Sequence, residues 1–186
     1  MTAKDILRTT EEKMKKTVEA VMREFSEVRT GRAHPALVEG LYIDYYGSPT
    51  LLKSLASISV PDAHLIVIQP WDITIIPEIE KAIMKSNLGI TPSNDGKLIR
   101  LTVPPLSEER RQELAKLVNK MAEEGKVSLR TIRREGKESL EKLERDKVIS
   151  EDDKFRGIEE LQKIIDKYTA KIDELLKIKT KEILEY

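Results

Sequence analysis

The stretch PPLSEERRQELAKLVNKMAEEGKVSLRTIRREGKESLEKLERDKVI, residues 104–149, decides how the rest of the chain is organised. It opens on Pro104-Pro105, which ends whatever precedes it, and then contains no further proline. Ser107 suits an N-cap, and Glu108 and Glu109 suit the positive end of a helix dipole. Projected at about 100° per residue, Leu114, Val118, Met121, Leu129, Ile132, Leu140 and Leu143 gather in one sector. The spacing predicts one helix running to about Ile149, a rod of roughly 60 Å. Gly125 and Gly136 weaken such a helix, by about 1 kcal/mol each against alanine, without ending it.

Two other stretches share this texture. From Lys4 to Arg29 there is no proline or glycine, and Leu7, Met14, Val18, Val21, Phe25 and Val28 follow a helical spacing. After Ser150-Glu151-Asp152-Asp153, a turn with a capping-box-like start, Ile158, Leu161, Ile165, Tyr168, Ile172 and Leu175 keep a heptad-like stripe. None of the three can hide its apolar side alone, so they call for a three-helix bundle.

Between the first and second helical runs the texture changes. All eight prolines fall between Gly31 and Pro105, along with Gly40, Gly47, Gly89 and Gly96. The short runs Leu41–Tyr45, Ser57–Val60, Leu65–Gln69 and Leu98–Val103 read as strands, with Asp95-Gly96-Lys97 as a hairpin turn. One helix interrupts them from about Ile75 to Ser86, with Thr74 as its cap, Pro77 in its first turn and Asn87-Leu88-Gly89 at its end. The fold class expected is α+β: an elongated, L-shaped protein, a three-helix bundle of residues 1–30 and 105–186 carrying an inserted β/α/β domain of residues 31–104. The chain crosses between the parts near Gly31 and near Pro104 and Pro105, the expected hinge.

The 33 basic residues balance the 33 acidic ones, so net charge gives no hint of a polyanionic partner. The helical projection recovers what the total hides. Lys126, Arg130, Arg133 and Lys137 share a sector about 60° wide beside the apolar one, Arg134 lies just beyond it, and Glu124, Glu135 and Glu138 fall on the opposite flank. One reading is a solvated face laced with pairs such as Arg134–Glu138 and Lys137–Glu141. The other is a nucleic-acid surface: Arg130 and Arg133 have no acidic residue three or four positions on, and the guanidinium fork matches phosphate oxygens. Arg29-Thr30-Gly31-Arg32 forms a second cationic cluster, also readable as a helix C-cap with Gly31 left-handed.

Nothing in the chain assembles a catalytic or metal site. There is no cysteine, His34 and His64 lack metal-ligand spacing, and neither a phosphate-binding glycine loop nor a Gly-x-Ser-x-Gly elbow occurs. Asp152-Asp153 and Glu108-Glu109 stand at helix starts, where the dipole explains them. Packing in the core or on a domain surface explains Trp71 and Tyr45-Tyr46 more readily than base stacking does. No catalytic residue, cofactor or metal is therefore expected. The start of the chain lacks a signal-peptide core and no stretch is apolar enough to span a bilayer, which suits a cytoplasmic protein without a membrane partner.

Seven blocks, in order and spanning nearly the whole chain, resemble the ribosome recycling factor family of bacteria. They are Arg29-Thr30-Gly31-Arg32-Ala33-His34-Pro35, Tyr45-Tyr46-Gly47-Ser48-Pro49, Glu80-Lys81-Ala82-Ile83, Leu88-Gly89-Ile90-Thr91-Pro92, Pro104-Pro105-Leu106-Ser107-Glu108-Glu109-Arg110-Arg111, Arg130-Thr131-Ile132-Arg133-Arg134 and Ser150-Glu151-Asp152-Asp153. Asn87, Thr91, Thr131 and Tyr186 depart from the family's usual residues without removing a cation from the basic face. The resemblance implies a factor that catalyses nothing itself. With elongation factor G and GTP it would split the post-termination ribosome into subunits, releasing mRNA and tRNA. It would lie across the A and P sites of the large ribosomal subunit and contact 23S rRNA, while the inserted domain faces the small subunit and elongation factor G. The expected rRNA-binding set is Arg29, Gly31, Arg32, Lys126, Arg130, Arg133, Arg134 and Lys137, on a protein acting as a monomer. The rival expectation is a coiled-coil scaffold or chaperone with no ribosome role, binding through apolar helix faces.

Overall fold

Three long helices and a small antiparallel sheet domain make up the computed structural model, which describes residues 1–185. Tyr186, the last residue of the expected 105–186 span, lies outside the described residues. The chain divides into a bundle unit, Met1–Arg29 with Glu109–Glu185, and a sheet unit, Thr30–Glu108.

The bundle unit consists of α1 (Ala3–Glu27), α4 (Glu108–Arg145) and α5 (Glu151–Glu185). A capping box starts α1: Thr2 Oγ1 accepts from the Asp5 amide at 3.1 Å and Asp5 Oδ2 accepts from the Thr2 amide at 2.9 Å. The same device starts α5, where Ser150 Oγ accepts from the Asp153 amide at 3.1 Å. The helix α4 stops at Arg145, short of the expected Ile149. The chain turns through Lys147 at φ 59°, and the Val148 amide folds back onto the Leu143 carbonyl. The helix α1 also ends early, at Glu27 with Val28 as its extended C-cap. Gly31 is left-handed at φ 74°, as expected, but lies too far on to cap α1.

Close approach at three glycines, rather than tolerance of them, sets the bundle's packing. A Cβ on Gly125 would stand 2.7 Å from Val21 Cγ2 of α1 and 3.2 Å from Ile172 Cδ1 of α5. On Gly136 it would stand 2.9 Å from Thr10 Oγ1 of α1 and 3.3 Å from Leu161 Cδ1 of α5. Gly125 and Gly136 are eleven residues apart, and so are Thr10 and Val21, and Leu161 and Ile172. Eleven residues are about three helical turns, so two equivalent layers form, with α4 antiparallel to both α1 and α5. Gly157 of α5 returns the contact, since a Cβ there would meet Leu140 Cδ1 of α4 at 2.8 Å. Around the layers Met14, Val18, Leu129, Leu140, Leu161 and Ile172 are fully or nearly fully buried.

The sheet unit begins with the one-turn helix α2 (Ala36–Glu39), followed by the hairpin β1 (Tyr42–Tyr45) and β2 (Ser48–Leu51). Strands β3 (Ala56–Asp62), β4 (Leu65–Pro70), β5 (Ser93–Asn94) and β6 (Ile99–Thr102) form an antiparallel sheet in the order β3-β4-β6-β5. The helix α3 (Ile76–Lys85) packs by β1. Ile66 and Ile68 of β4, Ile99 and Leu101 of β6, and Ile79 and Ile83 of α3 meet in one core. The cap of this helical region is Asp72 rather than Thr74: its Oδ1 accepts from the Thr74 amide at 3.0 Å and begins a 3-10 turn that leads into α3. The two chain crossings are stitched to the turn between β3 and β4. Ala33 N–H donates to the Ala63 carbonyl and Val103 N–H to the His64 carbonyl, each at 2.7 Å, while His64 Nδ1 lies 3.2 Å from the Gly31 carbonyl, which can only accept.

Two tests follow from this packing. Alanine at Gly125 or Gly136 gains about 1 kcal/mol of helix propensity but forces overpacking that costs about 1–3 kcal/mol. Both variants are expected to unfold at lower urea than the parent, whereas Gly40→Ala, with nothing near its missing Cβ, is expected to match it. In the sheet unit, hydrogen bonds from Thr74 hold the Asp72 carboxyl below its usual range, and the Lys97 and Leu98 amides do the same for Asp95. Each carboxyl is more acidic folded than unfolded, so its stabilisation is present above about pH 4 and is lost as pH falls through the lowered value. Asp95→Asn, which keeps an acceptor but cannot titrate, is expected to flatten the acid limb of the unfolding midpoint against pH.

Candidate nucleic-acid interface

The cationic row predicted from the sequence forms on α4, and its partners differ from residue to residue. Lys126 is stapled to α5 by an ion pair with Asp173, its side chain only 22% exposed. Arg130 is exposed and its Nη2 donates to Glu123 Oε1 at 3.0 Å, two turns back on the same face. That carboxylate lies seven residues back, beyond the neighbours three and four positions away. Lys137 meets Glu141 at 3.8 Å, one turn on. The half-buried Arg133 reaches across to α5, where its Nη1 donates to the Gln162 side-chain carbonyl at 2.6 Å. Arg134 is exposed, and no ion pair joins it to Glu138 among the described residues.

The register between the helices explains these contacts. Lys126 and Arg133 are seven residues apart on α4, and Asp173 and Asp166 are seven apart on α5, running the opposite way. Seven residues return a helix to nearly the same face, so a basic row on α4 runs beside a polar row on α5. Gln162 closes that row by donating from Nε2 to Asp166 Oδ1 at 2.9 Å. Gln162 and Asp166 were not singled out in the sequence; only the antiparallel register identifies them.

The first helix is joined to the other two on further faces. Tyr168 of α5 is buried and its hydroxyl donates to Glu11 of α1 at 3.2 Å. Burial first, and the Glu11 carboxylate second, push that hydroxyl above its ordinary pKa. Arg111, early in α4, donates to the Leu184 carbonyl near the end of α5 at 3.2 Å.

The remaining candidates divide between the units. Arg29 is exposed at the end of the bundle unit, whereas Gly31 is buried and Arg32 exposed in the sheet unit. A Cβ on Gly31 would stand 3.0 Å from Leu106 Cγ, so the two chain crossings run side by side there. Two aromatics read as packing residues turn out to be exposed: Trp71 at 70% and Tyr46 at 79%. The cause at Tyr46 is the hairpin turn, where Tyr46 (φ 51°) and Gly47 (φ 83°) are both left-handed and the exposed ring meets Tyr45 edge to face. His34 is exposed and its ring accepts from the Ala36 amide, and no group of acidic or histidine side chains suited to a metal occurs among the described residues. No described helix is long and apolar enough to cross a membrane.

Comparison with known proteins identifies the lineage of this fold. The family model for ribosome recycling factor matches residues 21–184. The ribosome-recycling factor of Desulfosudis oleivorans is 56% identical over 175 residues, 94% of this chain and 95% of that one. The one from Syntrophomonas wolfei is 54% identical over 182 residues, 98% of each. A solution structure of the ribosome recycling factor superposes with a TM-score of 0.77 at 47% identity, covering 100% of this chain and 99% of that one. A second structure, described as models for the T. thermophilus ribosome recycling factor and the E. coli elongation factor G bound to the E. coli post-termination complex, gives a TM-score of 0.65 at 42% identity. It covers 99% of this chain and 100% of that one. The chain belongs to the ribosome recycling factor family, whose members are translation factors rather than enzymes, and ribosome recycling is its function.

The two kinds of cation on α4 are separable by stability. Lys126→Ala removes a staple between helices and is expected to cost roughly 1 kcal/mol, while Arg130→Ala breaks an exposed pair and is expected to stay within about 0.5 kcal/mol of the parent in urea unfolding.

Proposed function

We propose that the α4 face carrying Arg130, Arg133 and Arg134, flanked by Lys126 and Lys137, binds 23S rRNA of the large subunit across the A and P sites, with the exposed Arg29 and Arg32 belonging to the same contact and the buried Gly31 shaping the chain between them. The sheet unit faces the small subunit and elongation factor G, and GTP hydrolysis by that factor drives the ribosome apart into subunits, releasing mRNA and tRNA. The two crossings at Gly31 and at Pro104 and Pro105 serve as the hinge. The protein acts as a monomer in the cytoplasm, and the chemistry belongs to its GTPase partner.

The observation that carries this reading is the clustering of cations on α4. A chain with no net charge sets three of its twelve arginines, Arg130, Arg133 and Arg134, together on one helix beside Lys126 and Lys137, and where Arg130 and Lys137 meet carboxylates at the surface the pairs are weak. Exchanging Glu123 for a phosphate oxygen costs Arg130 little, and rRNA supplies phosphates at high density. Full-length similarity to a recycling factor described together with elongation factor G on the post-termination complex supports the same partners here. The pair Lys137–Glu141 fits the rival reading of a solubilising face, which differs in predicting no association with ribosomes.

Arg133→Ala is expected to weaken binding to purified large subunits by roughly ten- to hundred-fold, the worth of one hydrogen bond to a charged group, with the circular dichroism spectrum unchanged. It is also expected to slow subunit splitting in the presence of elongation factor G and GTP. Equal affinity of variant and parent would remove rRNA contact from the role of this face.

A further inference from the structure

Among the cations of the α4 row, Arg133 is held by a group of a different kind. Lys126, Arg130 and Lys137 each touch a carboxylate, whereas the group touching Arg133 is the uncharged amide of Gln162. That amide has a fixed orientation. Its Nε2 donates to Asp166 Oδ1, so its carbonyl must face the guanidinium; the flipped amide would set N–H against N–H. Asp166 thus stands behind the glutamine and sets its direction, while the contact with the arginine stays neutral.

Two consequences follow from this arrangement. A guanidinium has five N–H donors, and the contact with Gln162 occupies one, leaving a fork able to meet phosphate oxygens. An arginine already held in place also loses less side-chain freedom on binding than one that moves through solvent. A glutamate at the same position would neutralise the guanidinium and would lose the hydrogen bond to Asp166. We infer that Gln162 is a positioning residue for rRNA binding: it aims Arg133 from the neighbouring helix without spending its charge.

This inference rests on the rRNA-binding reading of the α4 face, and three variants of the full chain separate the two. Arg133→Ala, Gln162→Met and Gln162→Glu are each assayed for thermal unfolding and for affinity to large subunits across a series of salt concentrations. Gln162→Met keeps the bulk and the arginine's charge but loses the aim. It is expected to bind several-fold more weakly with the parent's salt dependence. Gln162→Glu makes the contact with Arg133 charge-assisted but replaces the hydrogen bond to Asp166 by two facing carboxylates, so its unfolding midpoint is expected at or below the parent's. It is expected to bind roughly tenfold more weakly with a shallower salt dependence, one phosphate contact being worth about 0.7–0.9 in the slope. A purely structural role would move the unfolding midpoint and leave the affinity of the folded protein alone. If Arg133→Ala binds like the parent, the rRNA reading fails, and this inference with it. If Arg133→Ala is weakened while either Gln162 variant binds like the parent, the rRNA reading stands and the positioning role of Gln162 is overturned.

Discussion

The close approach of α1 and α5 to α4 at Gly125 and Gly136 is the constraint on which the bundle depends. With no side chain at those positions, Val21 and Ile172 in one layer, and Thr10 and Leu161 in the other, pack directly onto the α4 backbone. Each glycine costs its helix about 1 kcal/mol against alanine. What it allows is an interhelical distance that any Cβ would open. Because the layers repeat every eleven residues on all three helices, one register satisfies both, and sliding a helix by a turn would set a side chain against a side chain where there is now room for one.

That register also fixes the polar contacts beside the core. Once Gly136 faces Leu161 and Gly125 faces Ile172, Lys126 comes opposite Asp173 and Arg133 comes opposite Gln162 and Asp166. The contacts that Lys126 and Arg133 make across the helices are therefore a consequence of core packing, and they differ because α5 offers a carboxylate at one level and an amide at another. Lys126 is held for the bundle's sake. Arg133 is held in a way that leaves it charged.

Much of this was legible in the sequence, for definite reasons. The three helices declare themselves through apolar spacing that no proline interrupts, and the sheet unit through eight prolines and short β-branched runs confined between Gly31 and Pro105. Strands β2 and β5 escaped because Ser48–Leu51 carries Pro49 and Ser93–Asn94 is two polar residues long, so neither has an alternating pattern to read. The glycines were read through propensity, a local quantity, whereas their purpose lies in contacts with residues 25 or more positions away. Gln162 was invisible for the same reason. A lone glutamine on an exposed helix face carries no signal until the opposing helix and its register are known. Trp71 and Tyr46 stand outside the core, and the left-handed turn at Tyr46-Gly47, which no apolar pattern signals, explains why that ring is turned outward.

The most direct measurement is an electron cryomicroscopy map of this chain bound to a post-termination ribosome, detailed enough to resolve arginine side chains. The expected result is the α4 face laid on 23S rRNA, with the Arg133 guanidinium within about 3 Å of a backbone phosphate oxygen and the Gln162 amide still behind it. A map in which that face is turned to solvent, or in which another surface of the bundle carries the rRNA contact, would contradict it.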